Sequence, residues 1–133
     1  MKDVLFVGAG GALGTSARYG VQTLLPAAGA DFPLGVLFIN WIGCLFLGWF
    51  FTVTLRSWRI KPRWRLAIGI GFTGGFTTFS TFAVDAVRMT VHDRALTAVL
   101  YLLLSVCGGL FLTWTGIRLG TKMTQAAPKE GSL

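Results

Sequence analysis

Four uncharged apolar runs leave this chain few folds to choose from. Val4 to Ala17, Pro33 to Leu55, Leu66 to Val84 and Ala95 to Ile117 contain no Asp, Glu, Lys or Arg. At about 1.5 Å rise per residue, the last three each cover a hydrocarbon core of roughly 30 Å as helices, and the first does so when it takes in Arg18 and runs to about Leu25. Only 13% of the residues are charged, against roughly 25% in a soluble domain, so the core of this fold is lipid-facing. The runs therefore predict an all-α integral membrane protein with four transmembrane helices over residues 1–120. The tail, residues 121–133, carries Pro128 and Gly131 and is expected to be disordered.

The net charge of +7 does not indicate nucleic acid, because the basic residues flank the spans instead of interleaving with a soluble aromatic face. The run RSWRIKPRWR, Arg56 to Arg65, holds five cations and two tryptophans, the pattern of a cytoplasmic interfacial loop. Cys44 and Cys107 lie mid-span without metal-type spacing and read as packing residues. With one loop histidine, His92, and these two cysteines, no nucleophile, base and orienting group can be assembled, so no enzyme is expected.

The opening VLFVGAGGALG looks like a strand entering a dinucleotide loop, but Leu13 stands where the third glycine or alanine belongs, and no second strand follows. Gly10 and Gly14 instead form a small face at i and i+4 that lets another helix approach. Ala28-Gly29-Ala30 resembles a cleavage site, yet Arg18 interrupts the apolar segment and Lys2 beside Asp3 is a weak basic start, so the segment is kept as a span. Arg18 costs roughly 2.5 to 3.5 kcal/mol at a helix centre and less when it snorkels. It either reaches the interface or draws an anion into a vestibule.

Within the third run, GFTGGFTTFSTF, Gly71 to Phe82, is poor material for a continuous helix, since glycine loses backbone entropy there and threonine loses side-chain freedom. A break near Gly74-Phe79 is expected. Backbone groups freed in a bilayer are tolerated only where they line a cavity or bind something, which makes the break a candidate site. Its carbonyls would suit a hard cation, and the following half-helix offers amides and a positive dipole end to an anion. Hydroxyls come from Thr77, Thr78, Ser80 and Thr81, and ring edges with partial positive charge from Phe79 and Phe82. Several weak sites of this kind favour conduction over storage.

Four further polar positions lie in the spans. Asn40 either bridges helices or offers its NH2 donors to a ligand. Asp85 is expected to pair with Arg88 or a hydroxyl, with proton coupling as the alternative. Tyr101 and Ser105 share one helix face and form either a polar track or bonds to the preceding turn's carbonyls.

GGFTTFSTF, with GGALGTSARY near the start and GVLFINWIGCLFLG in the second span, closely resembles the Fluc/CrcB family of fluoride channels across about residues 4 to 119. The resemblance implies an antiparallel dimer with two pores in the cell inner membrane that exports fluoride passively and so lowers its intracellular concentration. By motif position, Phe79 and Phe82 match the family's pore phenylalanines and Asn40 its pore asparagine. Ser80 and Thr81 fall in the same pore motif, Tyr101 and Ser105 match the polar track, and Arg18 matches the first-span arginine at the vestibule. Gly74 and Thr77 match the positions whose backbone carbonyls hold a structural, untransported sodium ion at the dimer centre. Asp85 sits where glutamate is common, while Val36 stands where threonine is common and Gly109 where serine is common, so those two departures imply a shorter polar lining.

If both termini share a side with the Arg56 to Arg65 loop, that side carries Lys2, Arg56, Arg59, Lys61, Arg63, Arg65, Arg118, Lys122 and Lys129, against Arg88 and Arg94 opposite. This bias predicts one orientation with the termini inside. The partner is then either a second copy or an oppositely biased homologue. The rival reading is a small four-span proton-coupled multidrug exporter, in which Asp85 would replace the first-span glutamate such proteins use. A non-transporting assembly subunit is the third.

Overall fold

Glycine decides how the apolar runs pair once they are helical. A computed structural model describes residues 2–24, 32–58 and 60–126, and among these every regular element is helical. Helix α1 is Lys2–Leu24 and α2 is Leu34–Arg56. The third rod, α3, covers residues 62–76 and is composite: an α turn Pro62–Arg65, a π-helical stretch Leu66–Phe72 and an α turn Thr73–Phe76. Helix α4, Phe79–Val91, continues the same crossing after a break, and α5 is Ala95–Ala126.

The ends follow local chemistry. Asp3 sits in the first turn of α1, where the helix dipole favours an acid, and Pro62 opens α3 at a position whose missing N–H is not needed. Between α4 and α5 the chain turns on Asp93, at φ 58. The Arg94 N–H bonds to the Met89 carbonyl at 2.9 Å and that of Asp93 to Thr90 at 3.3 Å, the two bonds of a left-handed C-terminal cap.

Packing is by pairs. A Cβ added to Gly10 would collide with the Ala67 carbonyl, one on Gly14 with the Phe72 carbonyl, and one on Gly75 with the Gly11 carbonyl. Helices α1 and α3 thus run parallel at backbone contact, and the small face expected at Gly10 and Gly14 is buried. Helices α2 and α5 run parallel, with Trp41 against Gly108, Gly48 against Thr113 and Thr52 against Gly120. Helix α4 leans on α5, so the break is where the chain passes from one pair to the other. Leu37, Met89, Ala98 and Tyr101 form a core cluster beside it, with Phe82 and Trp41 packed against them.

Among the described residues, Leu34–Arg56, Pro62–Val91 and Ala95–Ala126 are long and apolar enough to cross a membrane. The expected first span reaches the length, 23 residues or about 35 Å, but it is diluted by Lys2, Asp3, Arg18 and many small residues. Two expectations shift, and one, the break, is met and narrowed within its Gly74-Phe79 range. Helix α5 runs through Ala126, so the tail does not start at Thr121, while residues 127–133, Leu25, Arg59 and Ala28-Gly29-Ala30 lie outside the described residues. Gly74 and Gly75 are helical, and the break falls on Thr77 and Thr78. Cys107 is exposed on the protomer surface.

Candidate functional site

The break is held by the second helix as much as by its own sequence. Thr77 and Thr78 are extended, with ψ 161 and ψ 123, which leaves backbone groups without helical partners. Asn40, from α2, meets them with both ends of its carboxamide: Nδ2 donates to the Thr78 carbonyl at 3.0 Å, and the Thr78 N–H donates to Oδ1 at 2.9 Å. The side chain imitates a neighbouring strand. Of the two roles open to Asn40, the bridging geometry is the one formed, and one Nδ2 hydrogen remains beyond it.

Thr78 then caps α4. Its Oγ1 accepts from the Thr81 N–H at 3.2 Å and donates to Thr81 Oγ1 at 3.0 Å, with Ser80 Oγ at 3.3 Å. Thr78 is buried, and its cap role is the main part of the site that sequence reasoning missed. A threonine three residues before Thr81, at the resumption of an apolar helical run, was the available signal. On the other side of the break, Thr77 Oγ1 bonds to the Thr73 carbonyl at 2.8 Å and closes the α3 end.

Arg18 reaches the same place from α1. It is half-buried, and its Nη1 lies 3.5 Å from the Thr77 carbonyl, at the negative end of the α3 dipole. Thr15 Oγ1 lies 3.4 Å from the Gly75 carbonyl. Because the Thr78 N–H goes to Asn40, the Gly74 carbonyl has lost its i+4 donor. Nothing lies within 4 Å of a Cβ built on Gly74.

An aromatic run leads from the break into the core. Phe79 is 79% exposed at the start of α4. Its ring centroid is 5.7 Å from that of Phe82, which is 5.2 Å from Tyr101. Phe32 meets Tyr101 edge-on at 5.6 Å. Tyr101 is fully buried, and neither its hydroxyl nor that of Ser105, one turn on, has a hydrogen-bond partner among the described residues. The bonds to the preceding turn that threonines make elsewhere in α5, such as Thr113 to Gly109 at 2.9 Å, are absent here. Two donors therefore stand on one face with nothing among the described residues to satisfy them. Val36 and Gly109 are buried in the same region, and a Cβ on Gly109 would lie 3.3 Å from Cys44 Sγ.

Asp85 has Arg88 as its charge neighbour but closes no contact pair with it. It is half-buried in α4, and among the described residues it has no ion pair or hydrogen bond with Arg88, which is exposed. No group of three or more His, Cys, Asp or Glu among the described residues could hold a metal ion, so a cation at the break would depend on backbone carbonyls.

The family model described as CrcB-like protein, Camphor Resistance (CrcB) matches residues 5–117. The chain is 41% identical over 113 residues to the fluoride-specific ion channel FluC 2 of Geobacillus kaustophilus, covering 84% of this chain and 88% of the relative. It is 41% identical over 120 residues to the fluoride-specific ion channel FluC of Acidobacterium capsulatum, covering 90% and 96%. With FluC of Chlorobium phaeobacteroides the identity is 37% over 116 residues, covering 87% and 91%.

Proposed function

The chain belongs to the CrcB-like family, and from that premise we propose that it is a fluoride-selective ion channel. It is a multi-pass protein of the bacterial plasma membrane, and it lets fluoride leave the cell passively and so lowers the internal concentration. The observation that carries this reading is the line from the exposed Phe79 through Phe82 to the unpartnered hydroxyls of Tyr101 and Ser105. A small, strongly hydrated anion needs donors along its whole path, and none may bind so tightly that it is trapped. The positive end of α4 and the ring edges of Phe79 and Phe82 supply weak attraction without a fixed charge. The hydroxyls of Tyr101 and Ser105 then take over as donors, and Ser80 and Thr81 line the approach. Asn40 holds the geometry and keeps one N–H for the ion, while Arg18 raises the local anion concentration from the α1 side.

The pathway is completed by a second, antiparallel subunit. Phe79 and the open face of Gly74 lie on the protomer surface, where a partner can enclose them. A sodium ion at the centre of that dimer would be held by the Gly74 and Thr77 carbonyls. The donor set fits a hard cation in kind, since both carbonyls end a half-helix and the Gly74 carbonyl has lost its helical donor. Such an ion would neutralise facing dipole ends and bind the subunits together. Arg18, now at 3.5 Å from the Thr77 carbonyl, leaves that oxygen when the ion is bound.

The test is fluoride efflux from liposomes loaded with potassium fluoride and opened to potassium by an ionophore, with chloride as the control anion. The chain is reconstituted alone and with an oppositely biased homologue. Rapid efflux of fluoride but not chloride in either preparation is the expected result. No fluoride efflux from well-folded protein in both preparations overturns the reading, as does equal efflux of the two anions.

A further inference from the structure

Away from the break, an apolar groove of about 410 Å³ opens between α1, α2 and α3. Its walls include Phe6 and Leu13 of α1, Phe46 of α2, and Trp64, Ile68 and Phe72 of α3, and every residue lining it is apolar. It falls within the range of about 300–1,000 Å³ that ligand pockets occupy. Its mouth has the opposite character. Trp64 sits edge-on to Phe6 with ring centroids 5.0 Å apart. The Arg63 guanidinium lies over the same Phe6 ring at 5.7 Å, and the Arg65 Nε is enclosed without a hydrogen-bond partner among the described residues. Lys2 begins α1 and Lys61 precedes α3, so the groove ends where positive charge is densest.

An apolar slot that runs along the helices and ends in a tryptophan and guanidinium groups has the division of chemistry found in a phospholipid, with hydrocarbon below and phosphate above. A second protein subunit would bring polar backbone or side chains to walls that offer them nothing. We propose that this groove binds one anionic phospholipid of the basic-side leaflet, its acyl chain against Leu13, Ile68 and Phe72 and its phosphate between Arg63 and Arg65. The Arg63 stack on Phe6 holds one guanidinium at the mouth, and Arg65, two residues on, adds a second positive charge beside it. The inference depends on the membrane placement and not on the ion conducted.

Native mass spectrometry of the full-length chain, with phosphatidylglycerol or phosphatidylcholine of the same acyl chains, tests it. One phosphatidylglycerol is retained per protomer in preference to phosphatidylcholine. Arg63→Gln and Arg65→Gln each lower that retention about fivefold, the factor expected for one basic residue at a lipid surface. Ala9→Trp fills the groove from an exposed position and abolishes retention while leaving helicity unchanged by circular dichroism. If Arg65→Gln fails to fold, Arg63→Gln carries the test, since Arg63 is exposed. Equal retention of the two lipids overturns the proposal. So does glycerol phosphate competing as well as the lipid, which would mean a site for phosphate alone. Ala9→Trp breaking a dimer with lipid retention unchanged would assign the groove to a second copy and overturn it as well.

Discussion

At the scale of single residues, the break depends on Asn40 and Thr78 in different ways. Asn40→Ala removes both partners of the Thr78 backbone and leaves a buried N–H and C=O unpaired, a loss of about 2–3 kcal/mol in unfolding free energy. Asn40→Asp keeps an acceptor for the Thr78 N–H and loses the donor to its carbonyl, so it falls between alanine and wild type. Thr78→Ala removes the α4 cap and costs about 1 kcal/mol. Tyr101→Phe behaves differently, because its hydroxyl has no partner among the described residues. Stability stays within about 0.5 kcal/mol of wild type while fluoride efflux falls. Denaturation in detergent and efflux from liposomes, measured on the same preparations, separate the structural residues from those that touch the ion. A Tyr101→Phe protein that unfolds early would show that the hydroxyl is part of the fold.

At the scale of the helices, glycine was legible in kind and misleading in place. The face at Gly10 and Gly14 could be read because i and i+4 spacing is a local property, and it packs on α3 as expected. The break could be read from the same composition, yet Gly74 and Gly75 are helical and the chain opens two residues later. Local propensity cannot fix that point, since Gly75 is needed for backbone contact with Gly11 and Asn40, far away in sequence, competes for the Thr78 backbone. Asp85 and Arg88 follow a related rule: spacing places two charges near one another but does not decide whether they close to contact. Tyr101 and Ser105 were recognisable as a shared face, whereas only the structure could tell that their hydroxyls decline the preceding turn. The packing makes a graded prediction for thermal unfolding. Gly75→Ala or Gly10→Ala pushes α1 off α3 and destabilises by about 1–3 kcal/mol, whereas Gly8→Ala, with nothing within 4 Å, stabilises by up to about 1 kcal/mol. Gly74→Ala, at a helical and equally open position, likewise stabilises the protomer by up to about 1 kcal/mol but weakens dimerisation, measured by cross-linking or light scattering in detergent. A Gly74→Ala dimer as tight as wild type would mean that no partner approaches there.

At the scale of the whole molecule, the pairing of the helices fixes which charges share an end. With α1 parallel to α3 and antiparallel to α2 and α5, Lys2, Arg56, Lys61, Arg63, Arg65, Arg118 and Lys122 stand at one end of the bundle, and Arg88 and Arg94 at the other. Seven cations against two direct the first end to the cytoplasm. An antiparallel dimer built from this chain alone needs half the copies to insert against that bias. The chain expressed alone therefore inserts predominantly with its N-terminus inside, as read by labelling a single introduced thiol in a background lacking Cys44 and Cys107. Few of its copies find an inverted partner. Fluoride efflux per protein is then low for the lone chain and rises when an oppositely biased homologue is co-expressed. Neutralising part of the bias with Lys61→Gln, Arg118→Gln and Lys122→Gln, three of those seven cations, populates the inverted orientation and raises efflux without a second gene product. Equal labelling from both sides in the native chain would instead mean that the bias does not control insertion, and that the protein assembles with itself.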